Sequence, residues 1–263
     1  MKNKFDIMII DDEQVVIDSV VKIGIMNNYK VDSTDNATEA LKKIKKNDYK
    51  LIICDIMLPE MSGFQFLDEL QKLGITTPVI MTTGYSTIEN AVQSLYKGAI
   101  DFIPKPFTFD EMTGTIKRGI KYGEIINKKN DASYSEVVYV SCPSRYFRFG
   151  YSCWMKEDFN GTVLLGATNL FLKTIDNIKE IELLDLNEKI NQAGQLAKFI
   201  DSEGFVHQLY SALSGRIIER NEKLLSNISI LEKDPYFEGW IYRIIPTEYE
   251  YEMKFLIPCS SDR

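Results

Sequence analysis

The 263-residue sequence has one histidine, His207, and four cysteines with no CxxC pair among them. A zinc site built from Cys and His therefore has almost no material. Cys54, Cys142, Cys153 and Cys259 read instead as reduced thiols of a cytoplasmic protein. No apolar run approaches the roughly 18 residues a membrane-spanning helix needs, and residues 1–10 lack the apolar stretch of a signal peptide. No membrane partner is expected. Positive charge is also scarce, with 31 Lys+Arg against 38 Asp+Glu for a net charge of -7. Split at residue 125, the halves carry 15 against 18 and 16 against 20. Neither half has the cationic footprint that neutralises DNA phosphates, and no helix-turn-helix pattern stands at the carboxyl end. No DNA partner is expected either. Hydrophobic residues at 44% and charged residues at 26% are ordinary globular usage. At roughly 150 residues per domain, the length points to two domains.

Two grammars divide the chain. In residues 5–122, short apolar runs (5–10, 30–32, 51–54, 78–82, 101–103) alternate with amphipathic helical stretches (14–26, 38–46, 63–73, 87–96, 110–122). Five strands alternating with five helices predict an α/β fold, a doubly wound five-stranded parallel sheet with its ligand site outside the carboxyl ends of the strands. Residues 123–135 turn polar, around Asn127-Lys-Lys-Asn-Asp131, and read as a linker or a frayed helix end. The expected division is residues 1–124, a linker at 125–135, and a domain at 136–263. In the latter, glycine-punctuated apolar runs at 161–167, 178–184, 215–219 and 240–244 predict a β-rich fold.

Chemistry gathers at the ends of the first five strands. Asp11 and Asp12 follow the first, Asp55 ends the third, Thr83 follows the fourth and Lys105 the fifth. Three converging carboxylates repel one another and invite a divalent cation, and Mg²⁺ suits an all-oxygen site that keeps some waters. A lysine and a hydroxyl beside them are what an added phosphoryl group needs.

These residues, as Asp11-Asp12-Glu13, Asp55-Ile-Met-Leu-Pro59 through Gly63, Thr83-Gly84 and Phe102-Ile-Pro-Lys105-Pro106-Phe107, closely resemble the flavodoxin-like receiver domain of two-component response regulators. The resemblance covers about residues 4 to 122. It implies Asp55 as phosphoacceptor, with Asp11, Asp12, Asp55 and the Met57 backbone carbonyl as Mg²⁺ ligands. It further implies that Lys105 pairs with the phosphoryl group, that Thr83 is the switch hydroxyl and Phe102 the switch aromatic, and that the Lys105-Pro106 bond is cis. The partners implied are a sensor histidine kinase, a downstream protein target and, on phosphorylation, a second copy of the chain. Such a protein signals and is not an enzyme.

The second half resembles the H-protein of the glycine cleavage system, a relative of lipoyl domains with the barrel-sandwich hybrid fold. The resemblance rests on Tyr151-Ser-Cys-Trp154, Gly161-Thr-Val-Leu-Leu-Gly-Ala-Thr168, Leu213-Ser-Gly215 through Asn221 and Asp234-Pro-Tyr-Phe-Glu-Gly-Trp240 through Pro246. That family presents a lipoyl-lysine at a hairpin tip. Counting back from Ser214-Gly215, this chain has Asp201-Ser-Glu-Gly204 there, so Gly204 stands at the lysine position and no lipoate is expected. Lys198, six residues earlier, fits only in a shifted register and otherwise reads as an exposed strand lysine. Trp154 and Trp240 read as core or turn-packing residues. His207 reads as a surface or partly buried histidine. Lys42, Lys43, Lys45 and Lys46 read as a solvated helix face with Glu39 an i,i+4 partner of Lys43. Residues 248–252 alternate like a strand where the family tends to end in a helix, and stay unassigned. The expected function is a response regulator whose unlipoylated H-protein-like domain is a protein-interaction output. The alternatives are a phosphorylation-regulated lipoyl carrier and a transcription factor.

Overall fold

A computed structural model describes residues 3–262 apart from 86, 132 and 135. The chain divides after Asp131 into two compact units.

In the first unit β1 (Asn3–Ile10), α1 (Gln14–Met26), β2 (Val31–Thr34), α2 (Ala37–Lys46), β3 (Asn47–Asp55), α3 (Gly63–Lys72), β4 (Val79–Thr83), α4 (Ile88–Tyr96), β5 (Asp101–Pro104) and α5 (Phe109–Asn130) alternate. The parallel sheet has the order β2-β1-β3-β4-β5. This is the doubly wound arrangement the alternation predicts. The central strands are apolar on both faces: Ile7 to Ile10 and Leu51 to Cys54 are all fully buried, as a sheet covered by helices on each side requires. Each such aliphatic side chain contributes roughly 1.5–3 kcal/mol of burial energy.

Two local expectations differ from the outcome. The last helix does not stop at Tyr122 but continues to Asn130, through much of the stretch expected to be a linker. Gly123 leaves room for the helix to lie against Pro78, since a Cβ there would be 3.2 Å from the Pro78 ring. Lys128 and Lys129 in the last turn complement the helix dipole, so the polar text that resembles a loop is also a good helix end. On α2, Glu39 pairs with Lys42, while Lys43 turns to Asp32 at 2.8 Å, across to the edge strand.

In the second unit β6 (Phe147–Phe149), β7 (Cys153–Glu157), β8 (Val163–Ala167), α6 (Asn169–Lys173), β9 (Glu180–Leu183), β10 (Lys189–Ile190), β11 (Gln195–Ile200), β12 (Val206–Tyr210), β13 (Gly215–Arg220), α7 (Lys223–Ser226), α8 (Ser229–Lys233), β14 (Trp240–Pro246), α9 (Tyr249–Glu252) and β15 (Ile257–Pro258) follow. A seven-stranded sheet, β10-β13-β14-β8-β7-β6-β15, accompanies a three-stranded one, β12-β11-β9. Trp154 is fully buried between Tyr146 and Tyr236 and donates its indole N–H to the Pro235 carbonyl at 3.0 Å. Gly166 is obligatory beneath it, because a Cβ would come within 2.4 Å of the indole ring. The Asp234–Trp240 segment makes a tight turn in which Asp234 accepts the Phe237 and Gly239 N–H groups through its side chain and carbonyl respectively. Residues 249–252 form a short helix despite their alternation, because Glu252 turns inward and accepts hydrogen bonds from the Ser214 N–H and hydroxyl.

Candidate functional site

The carboxyl ends of β1, β3 and β5 bring Asp11, Asp55 and Lys105 together. Asp11 and Asp55 are buried while Asp12 is exposed, and the three offer oxygens that all lie within 4.8 Å of one another. Lys105 Nζ lies 2.7 Å from Asp11 Oδ2, 3.2 Å from Glu13 Oε1 and 3.4 Å from Asp55 Oδ1. The Lys105-Pro106 peptide is cis, and the Lys105 N–H donates to the Thr83 carbonyl at 2.8 Å.

Backbone groups hold the two buried carboxylates in place. The Glu13 N–H donates to Asp11 Oδ1 at 3.0 Å, and the Met57 N–H donates to Asp55 Oδ2 at 3.2 Å. Gly63 lets α3 begin directly over the end of β3, since a Cβ would lie 2.3 Å from the Asp55 carbonyl oxygen. The remaining oxygens, Asp11 Oδ2 and Asp55 Oδ1, are enclosed and share the single Lys105 ammonium, at 2.7 and 3.4 Å, one positive charge for two carboxylates. Buried acceptors of this kind are costly unless something pairs with them. A hard cation with oxygen ligands fits the vacant lone pairs, and Asp11, Asp12 and Asp55 would hold it.

Burial pushes the Asp11 and Asp55 carboxyls above the usual range despite the opposing pull of Lys105. For Lys105, burial works against the charged form, but Asp11 and Asp55 outweigh it and raise its pKa. The site thus encloses one cation with two carboxylates whose burial opposes their charge.

Thr83 ends β4, fully buried, and its hydroxyl accepts the Tyr85 N–H at 3.1 Å. Phe102 lies buried within β5. Met57 and Tyr85, whose backbone N–H groups bond Asp55 and Thr83, have exposed side chains, at 56% and 70%. Glu13 is the residue whose side chain the sequence reading left without a role, and it belongs to the Lys105 cluster.

In the second unit Gly204 lies in the turn between β11 and β12, exposed and at φ +91°. Lys198 is inside β11, 3.6 Å from Glu182, away from that turn. His207 is not a surface residue: it is 2% exposed, and its Nε2 lies 2.9 Å from Asp201 Oδ2. Its place on the inward side of β12 decides this, and composition carried no sign of it.

A family model for the response regulator receiver domain matches residues 7–117, and one for the glycine cleavage H-protein matches residues 145–260. The chain joins a receiver domain to a glycine cleavage H-protein domain. Among curated relatives of the receiver, transcriptional regulatory protein HprR of Escherichia coli K12 is 32% identical over 127 residues, 48% of this chain and 56% of that protein. Transcriptional regulatory protein ZraR of Escherichia coli O157:H7 is 28% identical over 132 residues, 49% of this chain and 30% of that protein. Response regulator protein TodT of Pseudomonas putida F1 is 30% identical over 115 residues, covering 44% of this chain and 51% of that protein. The chain thus spans between 30% and 56% of the length of these relatives. Among solved structures, a receiver from Methanospirillum hungatei JF-1 aligns at TM-score 0.43 and 34% identity over 47% of this chain and 98% of its own. The glycine cleavage H protein of Mycobacterium marinum aligns at TM-score 0.37 and 21% identity over 40% of this chain and 86% of its own. No helix among the described residues is long and apolar enough to cross a membrane.

Proposed function

We propose that the chain is a cytoplasmic two-component response regulator, phosphorylated on Asp55 by a sensor histidine kinase, whose unlipoylated H-protein domain docks a downstream protein target. The observation that carries the first part is the enclosed pair Asp11 Oδ2 and Asp55 Oδ1, two buried carboxylate oxygens that share the single Lys105 ammonium. An Asp55 oxygen attacks phosphorus as the bond from phosphorus to the donor breaks. Lys105 neutralises charge on the phosphoryl oxygens, and the Thr83 hydroxyl, whose oxygen accepts the Tyr85 N–H, donates its own hydrogen to them. When bound, Mg²⁺ supplies further charge neutralisation at the same oxygens. Phosphorylation replaces the single charge of the Asp55 carboxylate with a phosphoryl group of roughly −1.5 to −2 beside two acidic neighbours, and Phe102, in the strand that Lys105 directly follows, relays the rearrangement.

The unlipoylated reading is supported by Gly204, which has no amine and a left-handed backbone that a lysine adopts only under strain. Incubating the protein with acetyl phosphate, with and without Mg²⁺, and weighing it intact tests the first part. One phosphoryl group per chain, dependent on Mg²⁺ and absent in Asp55→Asn, is expected; stoichiometric labelling of Asp55→Asn removes the assignment. A lipoyl mass increment on protein from a lipoate-proficient host removes the second part and favours the carrier alternative.

A further inference from the structure

Glu13 occupies the N-cap position of α1, with φ -91° and ψ 107°. That position favours Ser, Thr, Asp and Asn, whose short side chains bond the free N–H groups of the first turn. The other four helices of the receiver obey this rule. Asn36, Ser62, Thr87 and Thr108 each accept a backbone N–H three residues on. Glu13 makes no such bond. Its carboxylate goes instead to Lys105, on the open side of the cluster: the Glu13 side chain is 64% exposed and that of Lys105 only 10%.

Lys105 is drawn by three carboxylates, and its position is the balance among them. Asp11 at 2.7 Å and Glu13 at 3.2 Å are both nearer than Asp55 at 3.4 Å. Without Glu13, one of the two restraints that hold the ammonium away from Asp55 is gone. An ammonium in full contact with Asp55 occupies the oxygen that has to bind the cation and attack phosphorus.

We propose that Glu13 is a positioning residue for phosphoryl transfer, holding Lys105 off the acceptor carboxylate, and that α1 is left without a side-chain cap for this reason. The proposal rests on Asp55 as acceptor. It has a signature that a helix-stabilising role lacks: a better cap should stabilise the fold and impair the chemistry together.

The test uses the full chain with Glu13→Gln and Glu13→Ser, each alone and combined with Lys105→Met. Three quantities are measured: the Mg²⁺ dissociation constant by calorimetry, the rate of labelling by acetyl phosphate, and the cation-free thermal midpoint. In labelling, the Asp55 O–P bond forms as the bond from phosphorus to the acetyl oxygen breaks, and acetate leaves with the electron pair. Glu13→Gln should weaken Mg²⁺ binding and slow labelling by about two- to fivefold, the range of an exposed ion pair. Both effects should vanish when Lys105→Met is also present. Glu13→Ser should do the same while raising the thermal midpoint. Equal effects with and without Lys105→Met, or a lower midpoint for Glu13→Ser, overturn the proposal. If the wild type takes no label at all, the acceptor assignment fails instead, and Mg²⁺ binding in the paired backgrounds still decides the role of Glu13.

Discussion

Asp201 is the most heavily used carboxylate of the H-protein hairpin, and replacing it with alanine gives a loss that can be worked out from its partners. Its Oδ1 accepts the Glu203 N–H at 2.9 Å and the Phe205 N–H at 3.0 Å, and its Oδ2 lies 2.9 Å from His207 Nε2. The two tip N–H groups can turn to water when the carboxylate goes. The 2% exposed His207 cannot. Stranding a buried polar group costs about 1–3 kcal/mol and each lost net hydrogen bond about 0.5–1.5, so Asp201→Ala should cost about 2–4 kcal/mol. Both tryptophans, Trp154 and Trp240, lie in the second unit, so urea unfolding followed by tryptophan emission reports that domain alone. The pH dependence adds a second check. Burial would raise the Asp201 carboxyl, but the bonds from His207, Phe205 and Glu203 outweigh it and hold the group below its ordinary 3.8. The unfolded chain therefore takes up this proton first. The contribution of Asp201 is complete above 3.8 and lost as pH falls through the lower folded value, so wild type and variant should converge in acid. A loss under about 0.5 kcal/mol, the level of an ordinary surface change, or a gap that does not narrow in acid, would refute the reasoning.

Three further outcomes are expected. Burial raises the Asp11 and Asp55 carboxyls, so the cation-free receiver gains stability as pH falls toward those raised values. Asp55→Asn should raise its melting temperature by calorimetry and remove the stabilisation by Mg²⁺. Met57, exposed two residues after Asp55, the proposed acceptor, has no group able to orient a hydrolytic water; Met57→Asn should shorten the lifetime of the phosphorylated protein, and an unchanged decay of label would remove that argument. Gly204→Lys should destabilise the H-protein domain by about 1–2 kcal/mol through the left-handed backbone alone, since nothing lies within 4 Å of the added Cβ; a tryptophan-monitored unfolding curve that does not move would count against the turn geometry.

The receiver was legible in the sequence because its chemistry is punctuation. Asp11, Asp55, Thr83 and Lys105 each end or follow an apolar run, and a parallel sheet puts all such ends on one edge. The alternation of runs fixes which edge. What was less legible depends on contacts distant in sequence. The extension of α5 past Tyr122 depends on Gly123 meeting Pro78, and the short helix at 249–252 depends on Glu252 reaching back to Ser214. Neither partner is local, so local pattern favoured a linker in one case and left the other undecided. His207 reads as a surface or partly buried residue for the same reason: its burial follows from its side of β12, and its partner Asp201 stands in the sequence only as the first residue of the Asp201-Ser-Glu-Gly204 tip. The role of Glu13 had a signal that went unused, a long acidic side chain in the one cap position where the other helices carry Asn, Ser or Thr.

The order of the receiver sheet puts β2 and β5 at its margins, and each is only four residues long. β2 carries Asp32, and β5 ends in Pro104, which has no N–H to give. Short, charged or proline-terminated margins discourage another strand from adding on. Growth of the sheet is therefore disfavoured at both sides, and a meeting of two copies of this receiver is expected to leave the strand ladder of each one intact.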